Sequence, residues 1–185
     1  MPRFHPTNVR RSRRWLALAV AVVLGGPAAR AEEGKGSASF VALGPAGLRI
    51  EGSTDQVKLV AHDDELVVTV DLASLKTGIG VRDKHLREDL QTAQFPSAEL
   101  RVKRAALKLP QPLAEASGEA DGQLLLHGQS KPVHFRYTAR RTGGGAEVTG
   151  ALRIHLADFG IAPRAYLGIS VKPDVDASVK LQVAP

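Results

Sequence analysis

The chain has 185 residues, 43% of them hydrophobic but only 4% aromatic, with no cysteine and a formal net charge of +6. Six arginines fall within the first 31 residues, which hold no acid, so beyond them lysine plus arginine drops from 25 to 19 and balances the 19 acids. The remaining 154 residues are therefore neutral, which speaks against a basic nucleic-acid footprint; with no disulfide, they must hold together by a core, and they are long enough to do so as one domain.

The opening run MPRFHPTNVRRSRRW is basic, WLALAVAVVL is apolar from Trp15 to Leu24, and GGPAARA follows. This three-part pattern is that of a secretory signal peptide. Ala29 and Ala31 occupy the small-residue positions of a cleavage site, so residues 1–31 are read as the signal peptide and residues 32–185 as the mature, periplasmic domain. The apolar run is far shorter than the roughly 20 residues that span a bilayer, so no stable membrane anchor is expected. Arg13 and Arg14 hint at twin-arginine export without deciding the route.

After a short polar lead, EEGKGS, apolar residues recur at every second position. Leu66, Val68, Val70 and Leu72 alternate with Val67, Thr69, Asp71 and Ala73, and Leu100 and Val102 with Glu99, Arg101 and Lys103. Val133, Phe135, Tyr137 and Ala139 repeat the pattern, then Val148, Leu152 and Ile154, then Val175, Val179, Leu181 and Val183. Each run has the period of a half-buried strand.

Turn residues separate the runs at GPAG (44–47), LPQPLAEASGEADG (109–122), HGQSKP (127–132) and TGGG (142–145). Short, evenly spaced strands of this kind indicate an antiparallel sandwich or closed barrel. One stretch breaks the alternation. In TGIGVRDKHLREDL, Asp83 is placed to cap a short helix in which Leu86 and Leu90 share a face.

TVDLASLKTGIGVRDKHLREDL, FPSAELRV, GQLLLHGQSKPVHF and LADFGI, in that order and spacing, resemble the YceI-like family of exported lipid-binding proteins. The resemblance covers the chain from about Leu66 to its end. It implies an all-β fold, a lipocalin-like antiparallel β-barrel of about eight strands, with the helical segment as a short plug. It also implies an isoprenoid or fatty amphiphile held in the interior. Between Phe40 and His62 the chain is shorter than the family's opening strands and lacks its early histidine.

The expected ligand wall comprises Val68, Val70, Leu100, Val102, Leu124, Leu126, Phe135, Tyr137, Leu152 and Leu181. The same residues could simply fill the core, leaving a barrel that binds an envelope protein or component through its surface. Arg82, Asp83 and His85 are expected to fix the plug at the barrel mouth, or to meet a ligand head group.

No catalytic residue, metal ligand or cofactor is assigned. His85 with Glu88 and Asp89 would form an acid–base or metal cluster on one helical face, but helical charge runs are usually solvated. TGIG lacks the lysine and spacing of a phosphate loop. His62, His127, His134 and His155 are scattered one to a segment. Oligomeric state is open, a homodimer included.

Overall fold

The computed structural model describes residues 33–62, 64–108, 115–162, 165–166 and 169–183. The signal segment, with its cleavage position and Trp15, lies outside the described residues. Eight long strands close a single antiparallel barrel: β1 (Glu33–Leu43), β2 (Arg49–His62), β3 (Glu65–Asp71), β4 (Ser97–Lys103), β5 (Glu115–Leu126), β6 (Gln129–Thr142), β7 (Gly145–His155) and β10 (Asp174–Val183). The closing seam is β1 against β10, from Gly34 opposite Val183 to Ala42 opposite Val175. A two-residue pair, β8 (Ala165–Tyr166) with β9 (Ile169–Ser170), lies between β7 and β10.

The alternating runs read from the sequence are β3, β4, β6, β7 and β10. Three elements differ from the reading. The EEGKGS lead is not a tail, because β1 begins at Glu33 and its Gly34 and Gly36 pair with both β10 and β2. Its buried positions, Gly34, Ala38 and Ala42, are too small to produce a hydrophobic rhythm.

β2 is long but carries an irregularity, since Gly36 faces Val57 whereas Ala38 faces Thr54. The extra residue shifts the inward phase, so Gly52 and Thr54 are buried before it and Val57 and Leu59 after it. Together β1 and β2 complete the wall that the short stretch from Phe40 to His62 had left without a reading.

The third difference is β5, whose first half the turn residues in 109–122 concealed. Residues 115–122 form a strand because larger neighbours occupy the space above its small ones. Tyr137 covers Gly118, where an added Cβ would lie 3.0 Å from its hydroxyl, and Leu100 with Val102 covers Gly122. Glycine serves packing here, not turning.

True turns are tighter than the sequence runs suggested. Leu126 pairs with Gln129 across His127 and Gly128, both at positive φ (51° and 74°), which is a two-residue hairpin of the primed kind. Pro132 accordingly sits within β6, opposite Gln123.

Strand direction sorts the connections onto two ends. At one end lie the β1–β2 turn, the β3–β4 connection with its helix, the β5–β6 turn and the segment from Leu156 to Pro173. At the other lie the β2–β3 and β6–β7 turns and the segment after β4. We call these the helix end and the hairpin end.

Candidate functional site: the barrel cavity

The barrel interior is a cavity of about 880 Å³. All ten wall positions expected from the sequence line it: Val68 and Val70 on β3, Leu100 and Val102 on β4, Leu124 and Leu126 on β5, Phe135 and Tyr137 on β6, Leu152 on β7 and Leu181 on β10. Alternation alone brings them together, because residues two apart on a strand face the same way.

The strands that escaped the sequence reading line it too. β1 adds Ala38, Phe40 and Ala42, and β2 adds Ile50 and Leu59. β7 and β10 mix small lining residues, Gly150, Ala151 and Ala177, with Val148, Leu152, Ile154, Val175, Val179 and Leu181, whereas β3, β4 and β5 contribute mainly valine and leucine. A Cβ built at Gly150 meets nothing within 4 Å. The open space therefore reaches that strand.

Three clusters of buried residues form the wall rather than filling the volume. Leu72, Leu75, Leu124, Leu126, Phe159 and Ile161 pack at the helix end. Ala38, Val57, Leu59 and Leu181 pack near the seam, and Val102, Ala120, Phe135 and Tyr137 form the third. The Phe135 and Tyr137 rings stand 6.3 Å apart. A barrel of eight strands is wide enough for either packed side chains or one slender ligand, and this one leaves room for the second.

The helix end is built by α1 (Gly80–Asp89). Asp83 is not its N-cap; that position belongs to Ile79, with no capping side chain. Instead the Asp83 carboxylate reaches back and accepts from the Thr77 backbone N–H and the Thr77 hydroxyl, each at 2.6 Å. These bonds, the hydroxyl one first, hold the Asp83 carboxyl below the usual carboxylate range, with Arg87 and Lys76 adding to the effect.

At its other end the helix stops in a Schellman turn. Gln91 is left-handed at φ 48°, Thr92 N–H reaches Arg87 C=O at 3.0 Å and Gln91 N–H reaches Glu88 C=O at 3.1 Å. With both ends tied, one stripe faces inward: Arg82, His85, Leu86, Asp89 and Leu90 all line the cavity. Leu86 and Leu90 pack against the helix-end cluster, as their spacing predicts.

The helical face does not assemble the acid–base cluster weighed from spacing. His85 and Asp89 line the cavity, but Glu88 is exposed and lies 3.9 Å from Lys84. Among the described residues no group of three His, Asp or Glu side chains is placed to hold a metal ion.

Two polar clamps secure the ends. His127 Nδ1 lies 3.0 Å from the Phe159 carbonyl oxygen, linking the β5–β6 turn to the 3-10 turn Leu156–Phe159, and Phe95 stands edge-on to the same imidazole. At the hairpin end the Lys108 N–H donates to the Tyr137 hydroxyl at 2.6 Å, holding the segment that contributes Leu107 to the lining. His134 and His155 sit on exposed outer positions, paired with Asp121 and Asp174 at 2.8 Å.

Comparison with known proteins agrees with this architecture. The profile of the YceI-like domain matches residues 35–183. A UPF0312 protein of Vibrio cholerae is 33% identical over 138 residues, covering 70% of this chain and 68% of its own. A solved polyisoprenoid binding domain from Saccharophagus degradans, implicated in plant cell wall breakdown, superposes with a TM-score of 0.69 at 19% identity, over 83% of this chain and 98% of that one. BcnA of Burkholderia cenocepacia gives 0.63 at 20% identity, over 82% and 96%.

Proposed function

This chain belongs to the YceI-like family, and from that membership and the cavity we propose that it is a carrier of an isoprenoid or other long-chain amphiphile. The single observation that carries the reading is an apolar interior of about 880 Å³ that the protein's own side chains do not fill. That also removes the premise of a filled barrel working only through its surface.

Each methylene of a chain moved from water into this lining contributes about 0.8 kcal/mol, offset by the cost of ordering the ligand. The ten wall residues would take the chain, and Arg82, His85 and Asp89 on the helix stripe would meet its polar head. The polyisoprenoid-binding name of the Saccharophagus neighbour supports the same class of cargo. No reacting group is needed, and we assign no reaction.

We further place the carrier in the periplasm, on the signal pattern of residues 1–31 ahead of the domain at 32–185. No helix among the described residues is long and apolar enough to cross a membrane.

The test is mass spectrometry of organic extracts from purified protein, with a blocked cavity as control. Val102 is a poor place to block it, being 4% exposed and packed against Ala120, Phe135 and Tyr137. Gly150 is suitable, because it lines the cavity, its φ is not in the left-handed region and its Cβ direction is open. The parent should yield a stoichiometric long-chain amphiphile and a folded Gly150→Phe variant none. Parent extracts without lipid, or a variant that retains it, would overturn the reading.

A further inference from the structure

We infer that the hairpin end of the cavity is a second head-group site, at which Arg141 takes the oxyanion head, carboxylate or phosphate, of an acidic amphiphile. The inference rests on the carrier reading and adds to it a charge on the cargo and the end at which that charge is held.

The cavity lining reaches from the helix stripe to the β6–β7 turn, where it includes Arg141, Thr142, Gly143, Gly145 and Ala146. Phe135, Tyr137, Ala139 and Arg141 are successive inward positions of β6, so Arg141 stands on the same face as the ligand wall. Its partner on β7 is Ala146, which faces Val183 of β10, which in turn faces Gly34 of β1. The collar around Arg141 is therefore apolar and made mostly of small residues. The TGGG turn adds no obstruction, since a Cβ built at Gly143 or Gly144 meets nothing within 4 Å.

The two ends of the cavity differ in charge. Among the described lining residues the one carboxylate is that of Asp89, which shares the helix stripe with Arg82 and His85. The helix end thus offers both signs and suits an uncharged polar head. At the hairpin end Arg141 lines the cavity with no acid beside it in the lining.

The acids of this end lie elsewhere. Glu115 and Glu147 sit opposite Arg140, one position out of phase with Arg141 and hence on the outer face. Glu65 lies 3.8 Å from Arg101, and Asp64 is exposed in the β2–β3 turn. Among the described residues no side chain bonds to or pairs with Arg141.

A guanidinium is a planar fork that matches a carboxylate or phosphate with two parallel hydrogen bonds. Arg141 is exposed, so a head held there keeps part of its hydration while its chain runs inward past Ala139 and Tyr137. An anion drawn further in would lose that hydration with no cation to replace it. The position at the mouth, where water and the apolar wall meet, is what fits the residue to an acidic head.

The test is calorimetric titration of lipid-stripped protein with dodecanoic acid against dodecanol, and with farnesyl phosphate against farnesol, at about pH 8, where both acids are ionised. An acid should bind the parent more tightly than its alcohol. Arg141→Gln should weaken the acid by roughly tenfold and leave the alcohol unchanged, and Arg141→Lys should keep part of the preference. Arg140→Gln, the outward neighbour, should change neither. Because both arginines are exposed, all three variants should unfold thermally as the parent does. Amide signals of Gly143 and Gly144 in NMR spectra should move on adding the acid to the parent and stay in place in Arg141→Gln. A preference confined to dodecanoic acid identifies a carboxylate head, and one confined to farnesyl phosphate a phosphate head.

Alcohols that bind as tightly as the acids, or an acid preference that survives Arg141→Gln, would overturn the proposal and leave the carrier reading standing. Binding of none of the four compounds by a parent whose organic extracts contain lipid likewise rejects this site alone. Without lipid in the extracts either, the carrier reading falls with it.

Discussion

Tyr137 shows how one side chain serves both wall and closure. It is 5% exposed, its ring lies over Gly118, and its hydroxyl accepts from the Lys108 N–H. Replacing it with Phe keeps the wall and removes the clamp. Tyr137→Phe should lower stability by about 1 kcal/mol in chemical denaturation and raise amide exchange at Lys108. On the outer wall, His134 carries a second residue-scale expectation. Asp121 first and Glu119 second raise its pKa above the ordinary histidine value of 6.5. A raised folded-state pKa means that the pairing contributes fully below 6.5 and is lost as pH rises through the folded value. An NMR titration of the imidazole should therefore show a midpoint above 6.5 that falls back in Asp121→Asn. A midpoint at or below 6.5 in the parent would show the pairs to be unformed in solution.

Among the elements, the glycines of β1 tolerate far less than Gly150 of β7. A Cβ at Gly36 would lie 1.9 Å from the Lys180 carbonyl oxygen, at the seam that closes the barrel and beside the irregularity in β2. Gly36→Ala should cost roughly 1–3 kcal/mol or more, as overpacking does. The same change at Gly150 meets open space, and relieving a strand of glycine's entropy cost should stabilise by about 0.5–1 kcal/mol. Denaturation midpoints of the two variants should move in opposite directions. Helix α1 was visible in the sequence as a break in alternation with Leu86 and Leu90 four apart, but its start was not. Asp83 looks like a cap by residue type, yet its carboxylate binds Thr77, three residues before the helix begins. Only the fold of the preceding loop decides which N–H lies within reach.

At the scale of the whole molecule, the cavity couples cargo to stability, since a ligand that binds only the folded barrel stabilises it by about 2.7 kcal/mol at a hundred times its Kd. Protein stripped of lipid should melt at a lower temperature than protein as purified, and adding back the extracted lipid should restore the difference in the parent but not in Gly150→Phe. Equal melting of stripped and loaded parent would mean that the lipid does not occupy the interior.

The all-β antiparallel class, five of the eight strands and ten of the residues that line the cavity were legible because large apolar side chains at alternate positions record which face is dry; barrel rather than sandwich was implied only by the family resemblance. That record is local, and it needs side chains large enough to be read. It fades at Gly34, Gly36 and Ala38 of β1, at Gly118, Ala120 and Gly122 of β5, and where β2 shifts phase between Thr54 and Val57. Their small residues are covered from other strands, Gly34 by Leu59, Gly52 by Phe40, Gly118 by Tyr137 and Gly122 by Leu100 and Val102, a fact no stretch of the chain holds by itself. Whether the interior is filled was likewise beyond alternation, because the same valines and leucines suit a packed core or an open wall. The barrel's closure between β1 and β10, and the open space at Gly150 on β7, decide that volume, since it depends on the distance between opposite walls and not on the character of either.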